Sequence, residues 1–190
     1  RAKVVAAILA AADQDGLDPE DYAASAIAAR LDARDPVALA ELEVLISRAV
    51  ARYAADQIAG RTVPAEVDSE LRIKPERPGV GSVLLAVDGA PDLADYLASF
   101  APRTPNYRRL KEALAAYRAI SAAGGWRQVP EGPSLKPGMS DPRVPILRER
   151  LIQAGDLSAE IAIPPEAAEL YDPALEAAVQ RFQWRHGLSQ

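Results

Sequence analysis

Side chains that act as nucleophiles or bind metals are scarce in this sequence of 190 residues. It contains no Cys and a single His, His186. The lack of Cys excludes a thiolate nucleophile, a disulfide and a Cys-ligated zinc or iron–sulfur site. One imidazole has neither the co-ligands of a His-based metal site nor an orienting partner for base catalysis. We therefore expect no catalytic residue, no metal and no other cofactor, and we assign His186 to the C-terminal end of a helix, where a cation is favoured.

Closely spaced carboxylates are the next candidates, because a pair of them can act as general acid and general base in glycoside hydrolysis. Glu41 and Glu43 flank Leu42 and would lie on different faces of a helix, while Glu166 and Glu169 lie near a loop. Neither pair has an apolar surrounding or a partner that would tune its pKa. We predict that all four are solvated surface charges.

Aromatic and cationic side chains near the C-terminus could form a binding surface. Trp126 and Trp184 could stack on sugar rings, although packing between domains is the more common role of such residues. Phe182 lies on an apolar helical stripe and is predicted to be core. Four arginines give this region a local positive excess: Arg148, Arg150, Arg181 and Arg185. They could bind carboxylates, or they could simply lie on solvent-exposed helix faces. The candidate binding residues of this region are Trp126, Trp184, Arg181 and Arg185.

The net charge and the apolar content of the chain limit the classes of partner that we expect. Acidic residues outnumber basic ones by 27 to 22, for a net charge of −5. Nucleic acid is therefore not an expected partner, since its phosphates need clustered Lys and Arg. The apolar stretches at 4–12 and 80–87 are far shorter than the roughly 20 residues that cross a bilayer. Because 49% of the residues are apolar, we expect a folded core.

Helices are the elements that must position these side chains. Asp followed by Pro is a favourable helix start, because Asp accepts from a free N–H and Pro needs no acceptor. Four such pairs occur: Asp18-Pro19, Asp35-Pro36, Asp141-Pro142 and Asp172-Pro173. They predict helices from Pro19 to about Leu31, over 36–59 before Gly60, and two near the C-terminus.

The middle of the chain is predicted to alternate between irregular and helical segments. Pro64, Pro75 and Pro78 indicate an irregular crossing over 60–81, with a short extended piece at 71–73. Helices are predicted at 82–87, 91–99 and 104–123, followed by a brief extended segment at 126–129. The expected fold class is all-α, with six to eight helices and at most one short strand near Trp126.

Two apolar stripes predict a small C-terminal module. Val144, Leu147 and Leu151 form one, and Leu175, Ala178, Val179 and Phe182 form the other. We expect Phe182, Leu151, Leu147 and Val179 to form its core. Two short helices leave an apolar face uncovered, so we expect a third helix beyond Gln190, or the helix at 104–123, to cover it. On this reasoning Phe182→Ala should melt the module, whereas Arg185→Ala should leave its stability nearly unchanged.

Several segments of this module resemble a type 1 peptidoglycan-binding domain. They are VPILRERL at 144–151, GD at 155–156, YDPAL at 171–175 and the pattern AV-x-x-FQ-x-x-HGL at 178–188. Segments further upstream are similar to the approach to that domain in large bacterial L,D-transpeptidases. These are GLDPEDY at 16–22, GR at 60–61, Y-x-x-L-x-x-AL-x-x-YR at 107–118, GGW at 124–126, VP at 129–130 and L-x-PG at 135–138.

The resemblance is to the long, YcbB-like class and implies a helical scaffold over 1–130, a linker over 131–140 and a binding module over 141–190. Such enzymes are periplasmic and cross-link peptidoglycan stem peptides through an acyl-enzyme on a Cys. This chain has no Cys. It also ends at Gln190, before the third helix of the binding domain. The resemblance therefore implies a non-catalytic portion whose partners are peptidoglycan and a catalytic domain following Gln190.

Two other functions stay open at the level of sequence. The chain could be a stand-alone wall-binding or structural protein, or the targeting module of an endolysin. It could also be an all-α adaptor that binds another protein. The reading frame after Gln190 distinguishes a wall-binding protein or endolysin module from a transpeptidase. Binding to purified sacculi distinguishes all of these from an adaptor that binds another protein.

Overall fold

The structure is a computed structural model that describes residues 1–160 and 163–189. Within these residues the chain is all-α, as predicted, with 59% helix, nine α-helices and no strand. The helices are α1 (Ala2–Ala10), α2 (Ala24–Ala28), α3 (Pro36–Ala59), α4 (Pro64–Val67), α5 (Val80–Gly89), α6 (Leu93–Ala98), α7 (Pro105–Ala122), α8 (Val144–Gln153) and α9 (Pro173–Arg185). Short 3-10 turns occupy Ala12–Asp15, Pro19–Tyr22 and Pro165–Ala167. The predicted count of six to eight helices was therefore low.

The chain divides into two compact units, residues 1–115 and 116–190, and α7 runs across the boundary. Each unit has its own buried apolar cluster. None of the described helices combines the length and the hydropathy needed to cross a membrane.

Three of the four Asp-Pro pairs cap helical segments as predicted. The carboxylates of Asp18, Asp35 and Asp172 accept from backbone N–H groups two or three residues ahead, at 2.8–2.9 Å. Asp141 differs. It accepts from the backbone N–H of Arg143 at 2.9 Å, and helix α8 begins one residue later, at Val144. The pair Asp141-Pro142 thus forms a turn that leads into the helix and does not cap it.

The helix predicted from Pro19 to Leu31 is interrupted. Its first turn is a 3-10 turn that ends at Ala23, whose φ of 52° and ψ of 38° lie in the left-handed region. Helix α2 then starts afresh at Ala24. The prediction was wrong because the periodic apolar positions continue across the break, and nothing in the residue type of Ala23 announces a positive φ.

The core of the first unit forms where α1 packs against α2, α3 and α6, while α5 packs against α3 and α6. The rings of Tyr22 and Tyr53 meet edge to face, with 5.5 Å between their centroids. The most buried large side chains of this cluster are Leu9, Tyr22, Ile27, Val50 and Leu97. Helix α3 begins and ends at the predicted residues, and Gly60 follows it with a φ of 78°.

The segments between the helices are simpler than predicted. Residues 71–73 and 126–129 contain no strand, which agrees with the expectation of at most one short strand near Trp126. The crossing over 60–81 is irregular, as expected, except for the single turn of α4 and the start of α5. Within residues 1–160 and 163–189, an isolated antiparallel β-bridge joins Ser140 to Leu170. Neither predicted piece has a neighbouring strand in the described residues to bond with, so no ladder forms.

The second unit is built on the contact between α8 and α9. Its buried side chains are Val144, Leu151, Leu157, Tyr171, Leu175 and Ala178. Of the four residues predicted to form its core, Leu151 is buried, whereas Leu147, Val179 and Phe182 are only partly buried against the cluster. The buried positions of α9 are Leu175 and Ala178, about one turn before the predicted Val179 and Phe182. Loop residues, among them Leu135, supply part of the cover that a third helix was expected to give.

Candidate functional site

Two of the predicted site residues, Arg181 and Arg185, lie one turn apart on α9 and hold the same loop. Arg181 donates from Nε and Nη2 to the backbone oxygen of Asp156, at 3.1 and 2.8 Å. Arg185 donates from Nη2 to Asp156 Oδ2 at 2.7 Å and to the backbone oxygen of Ala154 at 3.3 Å. The loop follows α8, where Gly155 has a φ of 77°. Both guanidinium groups therefore lie at the C-terminal end of α8, where the helix dipole favours a cation.

The contact between Arg185 and Asp156 is well shielded on the carboxylate side. The side chain of Asp156 is 7% exposed and that of Arg185 is 39% exposed. The hydrogen bond to Asp156 raises the pKa of Arg185, with a further contribution from Tyr117. Removal of Arg185 would leave a buried carboxylate short of a partner, so this contact argues against the expectation that Arg185 can be removed without loss of stability.

Arg148 is a structural residue that the sequence analysis treated as a surface charge. Its side chain is 5% exposed, and its Nη2 donates to Asp172 Oδ2 at 2.7 Å and to the backbone oxygen of Leu170 at 2.6 Å. Burial raises the pKa of Asp172, but the N–H of Leu175 and the Arg148 guanidinium outweigh that effect and hold this pKa below its usual value. The sequence did contain a signal, since Arg148 falls on the apolar face that Val144 and Leu151 define.

Trp126 packs inside the second unit. The Arg150 guanidinium carbon lies 3.9 Å from the centroid of its ring, and the Tyr117 ring meets it edge to face with 5.4 Å between centroids. Arg150 also lies 5.7 Å from the centroid of Phe182. One face of the indole is thus occupied by a cation, which is a favourable packing arrangement. The residue has a packing role, but its contacts lie within one unit and not between domains as predicted.

Trp184 has different surroundings, although it lies on α9 between the two arginines. Its side chain is 76% exposed. In the part of the chain that the structure describes, no aromatic ring or guanidinium stacks on it. The structure therefore brings together Arg181, Arg185 and, through Arg150 and Phe182, Trp126. Trp184 stands apart with its indole open to solvent.

The remaining sequence candidates have simple surroundings. His186 is the residue that ends α9, as predicted, and its ring packs on Phe182 with 4.3 Å between centroids. Gly187 follows with a φ of 66°, and the N–H of Leu188 closes the turn on the backbone oxygen of Gln183. The four glutamates considered as acid–base pairs are exposed, as predicted: Glu41, Glu43, Glu166 and Glu169. Across residues 1–160 and 163–189, no group of three or more His, Asp or Glu side chains could hold a metal ion.

The fold and the contacts define a two-part helical protein, and comparison with known sequence families agrees with that description. Residues 1–114 match the family described as the Scaffold domain, and residues 140–190 match a peptidoglycan binding domain, PG_binding_1. Because the first match covers more than half of the chain, the chain belongs to the Scaffold domain family. Searches of curated proteins and of solved structures each found no match.

The two family matches support a cell-wall-binding role with peptidoglycan as the partner. They also suggest a cell-wall-associated, extracytoplasmic location. The arginine contacts of the second unit lie within the residues that match the peptidoglycan binding domain.

Proposed function

We propose that this chain is the non-catalytic scaffold and peptidoglycan-binding portion of a periplasmic L,D-transpeptidase of the long, YcbB-like class. The observation that carries the proposal is the order of the two domains, since a Scaffold domain precedes a peptidoglycan-binding domain in one chain. The proposed division is a scaffold over 1–130, a linker over 131–140 and a binding module over 141–190.

Catalysis in this proposal belongs to a further domain. The 190 residues contain no Cys, so the acyl-enzyme of an L,D-transpeptidase cannot form on them. We expect the purified chain neither to turn over a tetrapeptide substrate nor to gain the mass of a carbapenem. Turnover or a covalent adduct would contradict the assignment. A Cys-containing catalytic domain encoded after Gln190 would support the transpeptidase, and a stop codon there would support a stand-alone wall-binding protein.

Trp184 is the residue that we propose for contact with the glycan strands. Its indole is 76% exposed, whereas Trp126 is 37% exposed and already carries the Arg150 guanidinium on its ring. Aromatic faces that lie open to solvent can stack on the apolar faces of sugar rings. Arg181 and Arg185 flank Trp184 on α9. Arg185 is paired with the Asp156 carboxylate, whereas Arg181 donates to a backbone oxygen, so the charge of Arg181 is the one suited to the carboxylates of stem peptides.

The test is co-sedimentation of the chain with purified sacculi. We expect the wild-type chain to pellet, and we expect Trp184→Ala to raise the Kd about tenfold with an unchanged melt, as for loss of one exposed aromatic anchor. Trp126→Ala should lower the melting temperature, because it removes a packed side chain. Leu85→Ala is the matched control, since Leu85 is 77% exposed and lies in the first unit.

The outcomes separate the alternatives. Failure of the wild-type chain to pellet would overturn the wall-binding role and favour an adaptor that binds another protein. Equal losses for Trp184→Ala and Leu85→Ala would show unspecific apolar adhesion and remove Trp184 from the site.

A further inference from the structure

A second candidate site lies in the first unit, in a cleft of about 560 Å³ beside the middle of α3. Three arginines line it: Arg48, Arg52 and Arg77. The single carboxylate in its lining is that of Asp21, and the side chains of Leu45 and Val80 give it apolar walls. From this lining we propose that the cleft binds small organic carboxylates with an aliphatic body, such as the carboxyl end of a short peptide.

The carboxylate of Asp21 is already neutralised. Its Oδ1 accepts from Arg52 Nη2 at 2.9 Å, and its Oδ2 lies 2.7 Å from Arg61 Nη2. Of the two arginines that bind Asp21, Arg52 lines the cleft and Arg61 does not. Four guanidinium groups, counting Arg61, therefore face two carboxylates, Asp21 and Asp56, which leaves two positive charges in excess.

Arg48 and Arg77 carry that excess. Among the described residues Arg48 forms no hydrogen bond or ion pair, and its side chain is exposed. Arg77 lies 3.7 Å from Asp56 Oδ1, which is a loose contact, and its Nη2 donates to the backbone oxygen of Gly60 at 3.2 Å. A planar guanidinium can bind a carboxylate through two parallel hydrogen bonds. Arg48 is free to do so, and Arg77 can do so in exchange for its loose contact with Asp56.

The arrangement on α3 adds to the argument. Arg48 and Arg52 are four residues apart and lie on one face of the helix, where two like charges repel each other. A bound anion would relieve that repulsion. The cleft is also lined by Ala23, the one non-glycine residue with a positive φ in the described chain. Strained backbone of this kind is often retained at ligand sites.

The apolar part of the lining determines the class of anion. Leu45 and Val80 line the cleft together with the small side chains of Ala49 and Ala55. This surface suits methyl and branched aliphatic groups, whereas a bare inorganic ion would leave it in contact with water. An aliphatic carboxylate satisfies both the cations and the apolar wall.

The test is an NMR titration of the full 190-residue chain with N-acetyl-leucine, with its uncharged amide and with inorganic phosphate. We expect N-acetyl-leucine to shift the amide signals of the residues that line the cleft and the amide to shift them far less. Arg48→Gln and Arg77→Gln should each weaken binding about tenfold, as for loss of one charge-assisted hydrogen bond.

Arg34→Gln is the matched control, because it removes the same charge from an exposed residue that does not line the cleft. An equal loss of affinity in Arg34→Gln, equal binding of the acid and the amide, or absence of any shift localised to the cleft would each overturn the proposal. Tighter binding of phosphate than of N-acetyl-leucine would overturn the choice of carboxylate. Sacculus binding has no part in this experiment, so its outcome is independent of the wall-binding role.

Discussion

At the scale of single residues, arginines hold the second unit together. Arg148 is buried against Asp172, and Arg181 and Arg185 hold the Asp156 loop from α9. Arg150 lies on the ring of Trp126. A positive excess that suggests a binding surface in the sequence is thus largely used within the fold, which leaves the exposed indole of Trp184 as the clearest candidate for contact with a ligand.

Arg185→Ala tests this structural role. We expect it to destabilise the second unit by about 1–2 kcal/mol, because Asp156 loses a charged partner while its carboxylate stays buried. Partial exposure of Arg185 keeps the loss modest. Arg185→Lys, which keeps the charge but loses the planar fork, should be intermediate. Thermal melts measure this effect. An unchanged melting temperature for Arg185→Ala would show that Arg185 is a solvated surface charge with no structural role.

Asp141 gives a prediction of pH dependence. The side-chain hydrogen bond from Arg143, together with the backbone N–H of Arg143, lowers the pKa of Asp141 to about 2 from its usual 3.8. Because the pKa is depressed in the folded state, the stabilisation is complete above pH 3.8 and is lost as the pH falls through about 2. An NMR titration of the carboxyl group measures this directly. Arg143→Gln should raise the pKa part of the way towards its usual value, because the backbone N–H of residue 143 still donates to Asp141. An unchanged pKa in that variant would exclude the Arg143 side chain as a cause.

At the scale of elements, local signals predicted well wherever they lie at both ends of a helix. Helix α3 begins after its N-cap Asp35 and ends before Gly60, and α9 begins after its N-cap Asp172 and ends shortly before Gly187. Helix α1 was missed because no capping side chain precedes it, although Val5 and Leu9 have helical spacing and are buried. Without a start signal, its apolar run could equally have been a strand.

The errors in the site have a similar origin. The sequence identified Arg181 and Arg185 as candidate binding residues, and in the structure both lie on one face of α9. It could not reveal that Asp156 lies beneath them, since this contact joins residues far apart in the chain. The burial of Arg148 could have been predicted from its position between Val144 and Leu151, although charged side chains are rarely buried.

Ala23 gives a prediction at the level of one element. A residue with a side chain is strained at a φ of 52°, whereas Gly adopts this conformation without strain. We expect Ala23→Gly to stabilise the first unit by up to about 1 kcal/mol and Ala23→Val to destabilise it by more than that. Denaturant unfolding of both variants measures the difference. If Ala23→Gly proved the less stable of the two, the left-handed break between the 3-10 turn and α2 would be wrong.

At the scale of the whole molecule, the two buried clusters have no residue in common. Both tryptophans of the chain, Trp126 and Trp184, belong to the second unit. Tryptophan fluorescence therefore reports on the second unit, while far-ultraviolet circular dichroism reports on helices throughout the chain. The two signals make it possible to assign a loss of stability to one unit.

Leu175→Ala and Tyr107→Phe form the matched pair for this experiment. Leu175 is fully buried in the second unit, so its truncation should cost roughly 2–5 kcal/mol and lower the fluorescence-detected Tm by about 10 °C or more. The Tyr107 hydroxyl lies 2.8 Å from Asp15 Oδ1 and 3.2 Å from Gln57 Oε1 in the first unit. Tyr107→Phe should cost about 1 kcal/mol and shift a dichroism transition while leaving the fluorescence transition in place.

Phe182→Ala completes the set within the second unit. Phe182 is only partly buried, so its removal should lower the fluorescence-detected Tm by less than Leu175→Ala does. A larger drop in Tm for Phe182→Ala than for Leu175→Ala would support the core that was first predicted from the sequence. If Tyr107→Phe instead moved the fluorescence and dichroism midpoints equally, the two clusters would unfold as one cooperative body, and separate cores would not imply separate stabilities.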